Sequence, residues 1–391
     1  MNKNLWFLTL AKGLYITNNV TFIAINGLVG FALAPEPWLA TLPVMAYVVG
    51  SAMATTLVAK VQERLGRKRS FQIALLVALF SSLLCAFATL EKQFWLLNLG
   101  TVIAGFYNAN AQLYRFAAAE LADKTAKEKA ISWVLAGGIL GAVLGPNMAS
   151  WTRDWFMQPF AGAYITLAGV AVIAFAVISQ IHFSEKRVDP NQEPGRPLSE
   201  IMRQPLFIVC TLTAALAYGV MNLLMAATPL AMEACQFSFD KTAWVLEWHV
   251  IGMFAPGFFT GSLIKRIGVM WVLRMGVALN IGCVMIALSG ITFFHFLTAL
   301  FLLGVGWNFL FTSSTTLALE SYRPSERDKA QGAINFFVFL ATALSALSSG
   351  VLITTQGWTL LNLGSIIPLT IIALALIWLG VQRKPAKSQP L

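Results

Sequence analysis

Ala59-Lys60-Val61-Gln62-Glu63-Arg64-Leu65-Gly66-Arg67-Lys68 and Gly261-Ser262-Leu263-Ile264-Lys265-Arg266-Ile267-Gly268 are the two stretches on which the fold turns. Each is a short basic segment with a glycine at or near its end, set between long apolar runs, and each follows the second such run of its own half of the chain. A segment this polar does not lie in hydrocarbon, and one this short is not a domain, so it reads as a loop between membrane spans. Its recurrence predicts an internal duplication, as in membrane proteins built from repeated bundles.

Working outward from these loops, the 391 residues are 58% hydrophobic and 11% charged, with a mean hydropathy of +0.71. Soluble domains carry charge on roughly a quarter of their residues. Spans of about 20 apolar residues or more are predicted at 5–34, 38–61, 70–89, 94–119, 131–151, 156–181, 205–231, 242–264, 269–290, 293–319, 332–355 and 358–381. The expected class is therefore an all-α membrane protein with twelve transmembrane helices. The first run is too long for a signal peptide and is expected to be a retained helix. The stretch from His182 to Gln204 holds Pro190, Pro194, Gly195, Pro197 and eight charged residues, the composition of a linker. It divides the chain into a six-helix half at 1–181, a cytoplasmic linker at 182–204, and a second six-helix half with its tail at 205–391.

The net charge is +10, and 21 of the 27 Lys and Arg fall on one side of this topology, three on the other and three within spans. That bias predicts both termini in the cytoplasm of a bacterial inner membrane. The basic residues sit in short breaks rather than on one soluble face, so the expected partner is the lipid bilayer and not nucleic acid. Cys85, Cys210, Cys235 and Cys283 are scattered singly, without a disulfide framework. Neither a GxxxxGK[ST] loop nor a GxSxG elbow is present, which disfavours an ATP-driven pump and a hydrolase. A non-enzymatic secondary carrier without a cofactor is expected, with its site near mid-membrane between the halves.

Ionisable residues within spans are functional candidates. Arg115, in Gln112-Leu113-Tyr114-Arg115-Phe116, is expected either to snorkel or to pair with Glu120 or a neighbouring helix as part of a gate. Glu247, near the outer end of the eighth span, is a candidate for titration during transport or a solvated carboxylate at the mouth. Glu63 and Arg64 of the first loop are further gating or coupling candidates. Lys12 and Arg274 are expected to snorkel to the cytoplasmic face.

A sharper pattern lies in spans seven and eight, with Met221 and Met225 in one and His249 and Met253 in the other. A spacing of four puts each pair on one helix face. At about 1.5 Å per residue, Met225 and His249 fall at one depth and Met221 with Met253 about 6 Å deeper. The four predict a two-rung ladder if the faces meet, with Cys210 and Met232 on the same stripe as an accessory path. Thioether and imidazole are soft neutral ligands suited to Cu(I), and they leave no unpaired charge in an empty site. Packing is the alternative, since Met commonly fills helix contacts. With 13 Met and three His in the chain, chance supplies about 0.4 MxxxM pairs but only about 0.1 HxxxM.

Both loop copies resemble the major facilitator signature G-x-L-a-D-R-x-G-R-K, although the acidic position is Glu63 in the first and Lys265 in the second. Gly141-Ala142-Val143-Leu144-Gly145-Pro146 resembles the G-x-x-x-G-P motif of drug and proton antiporters, and its simpler reading is close helix packing at a proline kink. The MxxxM and HxxxM pair, with Trp248-His249-Val250-Ile251-Gly252-Met253-Phe254-Ala255-Pro256 around it, resembles the CcoA-type copper importers of that superfamily. That resemblance implies import of copper for assembly of cytochrome oxidase of the cbb type. The implied metal ligands are Met221, Met225, His249 and Met253, with a cytoplasmic protein accepting the ion. A related subgroup is associated with riboflavin, and Trp307, Asn308, Asn18 and Asn108 are available for such a solute. An organic-solute carrier and a proton-coupled drug efflux antiporter therefore stand as alternatives.

Overall fold

The structure is a computed structural model that describes residues 3–122, 127–183 and 195–382. The expectations resting on 184–194 of the linker, on Lys124 and on the tail from 383 lie outside the described residues. Among those described, the chain is helical throughout: α1 Lys3–Leu33, α2 Leu42–Leu90, α3 Phe94–Ala111, α4 Tyr114–Leu121, α5 Lys127–Trp151, α6 Ala161–Ser179, α7 Leu198–Met202, α8 Pro205–Ala234, α9 Phe239–Phe254, α10 Gly257–Ile267, α11 Val269–Ser289, α12 Phe293–Ala318, α13 Arg327–Thr355 and α14 Gly357–Gln382.

Among the described residues, nine helical segments are long and apolar enough to cross a membrane, and one of them, Pro37–Leu90, makes two crossings across its break at Gly66. Inside it Gly66 has φ 77° and ψ 166°, a conformation essentially reserved for glycine, so the helix reverses there. Gly268, at the matching position of the second loop, has φ 89° and ψ 149° and separates α10 from α11. The duplicated sequence thus encodes a duplicated reversal. Two further crossings are broken helices, α3 with α4 and α9 with α10, which brings the path to twelve.

The spans expected at 94–119 and 242–264 are thus each present as two helices with a short break between them. Pro256 breaks the eighth because it has no N–H and its ring crowds the preceding turn. In the fourth, the Leu113 N–H bonds the Asn110 oxygen in a tighter turn, while the Gln112 amide donates to the Tyr15 hydroxyl of α1 at 3.0 Å.

The G-x-x-x-G-P stretch is a packing seam. A Cβ added at Gly141 would lie 2.5 Å from the Ile16 Cβ and 2.6 Å from the Gly13 oxygen, so α1 and α5 approach at a distance only glycine allows. The Thr21 hydroxyl donates across the seam to the Gly145 oxygen at 3.0 Å. The two six-helix halves meet along α5 with α9, α2 with α13, and α1 with α8.

Candidate functional site

The halves are joined at the end away from the termini. There the Thr41 hydroxyl donates to the Ala346 oxygen at 2.6 Å, and the Asn147 amide donates to the Glu247 carboxylate at 2.7 Å. The Ser150 hydroxyl donates to Asp240, and the rings of Phe160 and Phe239 meet edge to face at 4.8 Å. At the terminus end lies a vestibule of about 300 Å³, walled by Arg115 and Phe116 of the first half and by Phe311, Thr315, Arg327 and Gln331 of the second. The molecule is closed at one end and concave at the other, as alternating access requires of one of its states.

Phe311 links the vestibule to an aromatic cluster. Its ring lies parallel to Trp307, 5.3 Å between centroids and 7° between planes, and Tyr218 of α8 stands edge-on to both at 5.1 Å. The Trp307 Nε1–H is covered and has no hydrogen-bond acceptor among the described residues. A flat wall with one unengaged donor suits a planar solute that carries a carbonyl or ring nitrogen. The first half offers Tyr15, whose hydroxyl donates to the Asn108 oxygen at 2.5 Å while the Asn108 amide donates to Ser51 at 2.7 Å. Asn308 is engaged with Thr260 and the Met253 oxygen. Of the residues named for an organic solute, Asn108 and Asn308 are thus structural, Asn18 is buried on α1, and Trp307 keeps a free polar group.

Lys12 corrects its expectation. Its side chain is 4% exposed and its Nζ lies 4.5 Å from the centre of the Tyr15 ring, so it points inward instead of snorkelling. Its depth, about 14 Å along α1, exceeds what its stem spans. Arg274 is exposed over the Trp271 ring, as a snorkelling residue should be. Arg115 does not pair with Glu120: that carboxylate is held by Arg67 at 2.7 Å. Arg115 instead lies over the Phe116 ring at the vestibule wall, its Nε covered and without an acceptor. Glu63 and Arg64 are exposed and form no ion pair among the described residues, so the lock of that loop is Arg67 with Glu120. Glu247 is half-buried in the closed end.

The four ladder residues are all buried, His249 completely. α8 packs chiefly on α13 and α12, and α9 on α12 and α5, so the two helices share α12 as a neighbour more than they face each other. The His249 Nδ1–H donates to the Leu300 oxygen of α12 at 2.7 Å, which leaves the lone pair on Nε2, and that atom has no partner among the described residues. Cys210 and Met232 are buried near opposite ends of α8. Among the described residues no group of three or more His, Cys, Asp or Glu is placed to hold a metal ion.

Outside the spans, the second end of the linker is fastened to the loop before α13. The Arg196 guanidinium donates to Glu326 at 2.8 and 2.7 Å and its backbone N–H donates to the same carboxylate at 2.9 Å. The Arg196 hydrogen bonds hold the Glu326 carboxyl well below the usual carboxylate range.

The family model for the Major Facilitator Superfamily matches residues 6–239 and 210–391. The riboflavin transporter RfnT of Brucella anthropi is 37% identical over 386 residues, covering 98% of this chain and 96% of that protein. The uncharacterized MFS-type transporter YddS of Bacillus subtilis is 27% identical over 358 residues, or 87% of this chain and 82% of that one. The crystal structure of the human organic anion transporter MFSD10 aligns with a TM-score of 0.69 over 96% of this chain and 99% of that chain, at 14% identity, a likeness of fold alone.

Proposed function

The chain belongs to the major facilitator superfamily, and on that premise we propose that it is a secondary transporter of a planar aromatic solute of the flavin class. The observation that carries this reading is the parallel Trp307 and Phe311 pair, with Tyr218 edge-on, at the head of the vestibule. Likeness to a riboflavin transporter over nearly the whole chain supports the same solute class. An isoalloxazine-like plane would lie against the wall and accept the Trp307 N–H, which then acquires the partner it lacks. Movement across the membrane requires the Thr41–Ala346, Asn147–Glu247 and Ser150–Asp240 bonds to break while the vestibule closes around the solute.

Copper is the second reading, and one observation favours it: the buried His249 ring has its Nδ1–H fixed by a backbone carbonyl, the arrangement that orients metal-binding imidazoles, and its Nε2 is open. One experiment divides the two. Cells lacking their own flavin uptake and expressing this chain are given labelled riboflavin or labelled copper, with membrane abundance measured in parallel. Riboflavin uptake above the empty-vector control, with copper uptake unchanged, is expected; copper uptake alone would replace the flavin reading with the second.

A further inference from the structure

Two cationic side chains, Arg115 and Arg327, line the inner vestibule, Lys12 lies within electrostatic reach of Arg115, and among the described residues none of the three forms an ion pair. Lys12 is 4% exposed, forms no ion pair among the described residues, and has the Tyr15 ring as its neighbour. Arg115 lies within electrostatic reach of Lys12, of Arg327 and of the Tyr218 hydroxyl. Its Nε is covered and has no acceptor, and the described vestibule lining contains Arg115 and Arg327 but no Asp or Glu. Two carboxylates at the same end of the molecule are engaged elsewhere, Glu120 by Arg67 and Glu326 by Arg196.

Like charges gathered in a partly desolvated cleft repel each other, and a buried cation with no counter-ion is costly. The preference for basic residues at the cytoplasmic face accounts for an exposed residue such as Arg327 at the start of α13. It does not account for Lys12, which is deep and covered, nor for the hidden Nε of Arg115. An anion that arrives with the solute removes the repulsion and supplies the missing acceptors.

We propose that the inner vestibule holds an anion subsite, in which Arg115 and Arg327, backed by Lys12, receive a phosphate or carboxylate carried by the transported solute. This rests on the planar-solute reading for the other end of the ligand. Phe311 belongs both to the vestibule and to the aromatic cluster, so the acidic group and the aromatic plane belong to one molecule. A vestibule of about 300 Å³ matches the lower range of small-molecule sites. The ligand class is therefore an aromatic acid, of which riboflavin 5′-phosphate is a suitable probe.

The test uses the full chain purified in a neutral maltoside detergent, free of anionic lipid. Dissociation constants for riboflavin and riboflavin 5′-phosphate are read from flavin fluorescence, and thermal protection is measured with 2-naphthoate and with uncharged 2-naphthamide. In the unsubstituted protein the phosphate ester should bind about tenfold tighter than riboflavin, consistent with a charge-assisted contact. Arg115→Gln and Lys12→Gln should bring the ratio of the two constants to about one, and the charge-preserving Lys12→Arg should restore it. Naphthoate, but not naphthamide, should raise the melting temperature in an Arg115-dependent way. Equal affinity for the two flavins, or a preference that survives both Gln substitutions, overturns the subsite. Riboflavin binding without a phosphate preference or naphthoate protection removes the subsite and leaves the flavin reading in place. Naphthoate protection dependent on Arg115 without binding of either flavin retains the subsite and removes the flavin reading.

Discussion

At Trp307 the indole supplies two separable things, a plane parallel to Phe311 and an N–H with no acceptor. Trp307→Phe retains a plane and removes the donor, while Trp307→Leu removes both. Ring contacts contribute about 0.5–1.5 kcal/mol beyond area burial, so Trp307→Leu should raise the riboflavin KM by about fivefold or more, and Trp307→Phe by less. Uptake kinetics at matched membrane abundance check the order. The ladder is tested at the same scale. Met221→Leu, Met225→Leu and Met253→Leu conserve volume at buried positions and should cost under about 1.5 kcal/mol each. Riboflavin uptake should survive all three, whereas loss of copper uptake in the same variants would make their sulfurs ligands instead of packing.

The helices are interrupted where glycine or proline permits it, and the consequences are measurable. Gly66 and Gly268 hold backbone conformations that a Cβ disfavours by about 1–3 kcal/mol. Gly66→Ala and Gly268→Ala should therefore each lower the melting temperature in detergent, by similar amounts, since the two reversals are copies. The fastening of the linker end is an electrostatic element. Because the Glu326 carboxyl is held below its unfolded value by Arg196, its contribution to stability is present above the ordinary carboxylate pKa of about 4.3 and is lost as pH falls toward the lowered folded value. The difference in melting temperature between the unsubstituted protein and Glu326→Gln should be full at neutral pH and shrink below about pH 4.3. A difference independent of pH would mean that the pair contributes packing and not charge.

For the molecule as a whole, an end closed away from the termini and an open vestibule at the terminus end define one conformational state. Asn147 and Glu247 lie in the closed end, on α5 and α9 of opposite halves. In a background without Cys85, Cys210, Cys235 and Cys283, the pair Asn147→Cys and Glu247→Cys should cross-link readily and arrest uptake until reduced. The pair Phe116→Cys and Thr315→Cys, on opposite walls of the vestibule, should cross-link only when solute drives that end to close. The reverse pattern would show that the resting state in the membrane is open at the end away from the termini.

Hydropathy and the repeated loop determined the multi-span fold and its duplication from sequence alone. The physical reason is local: hydrocarbon forces each crossing to satisfy its own backbone hydrogen bonds, so a span is written in one contiguous stretch. The sequence also marked Arg115, His249 and the ladder methionines as unusual, because polar and sulfur-bearing side chains are sparse in apolar runs. What the sequence could not set was direction. Lipid is as apolar as a helix contact, so periodicity does not separate an inward face from an outward one. Trp248 and Trp307 look alike in the chain, yet Trp248 is 42% exposed and Trp307 is 6% exposed. Lys12 likewise reads as a snorkelling residue until α1 is seen to turn it onto Tyr15. Only the packing of α1, α4, α8 and α12 brought Arg115 and Phe311 to one cleft, with Tyr218 and Trp307 against Phe311 and Lys12 within electrostatic reach of Arg115, since these residues come from both halves and from helices far apart in the chain.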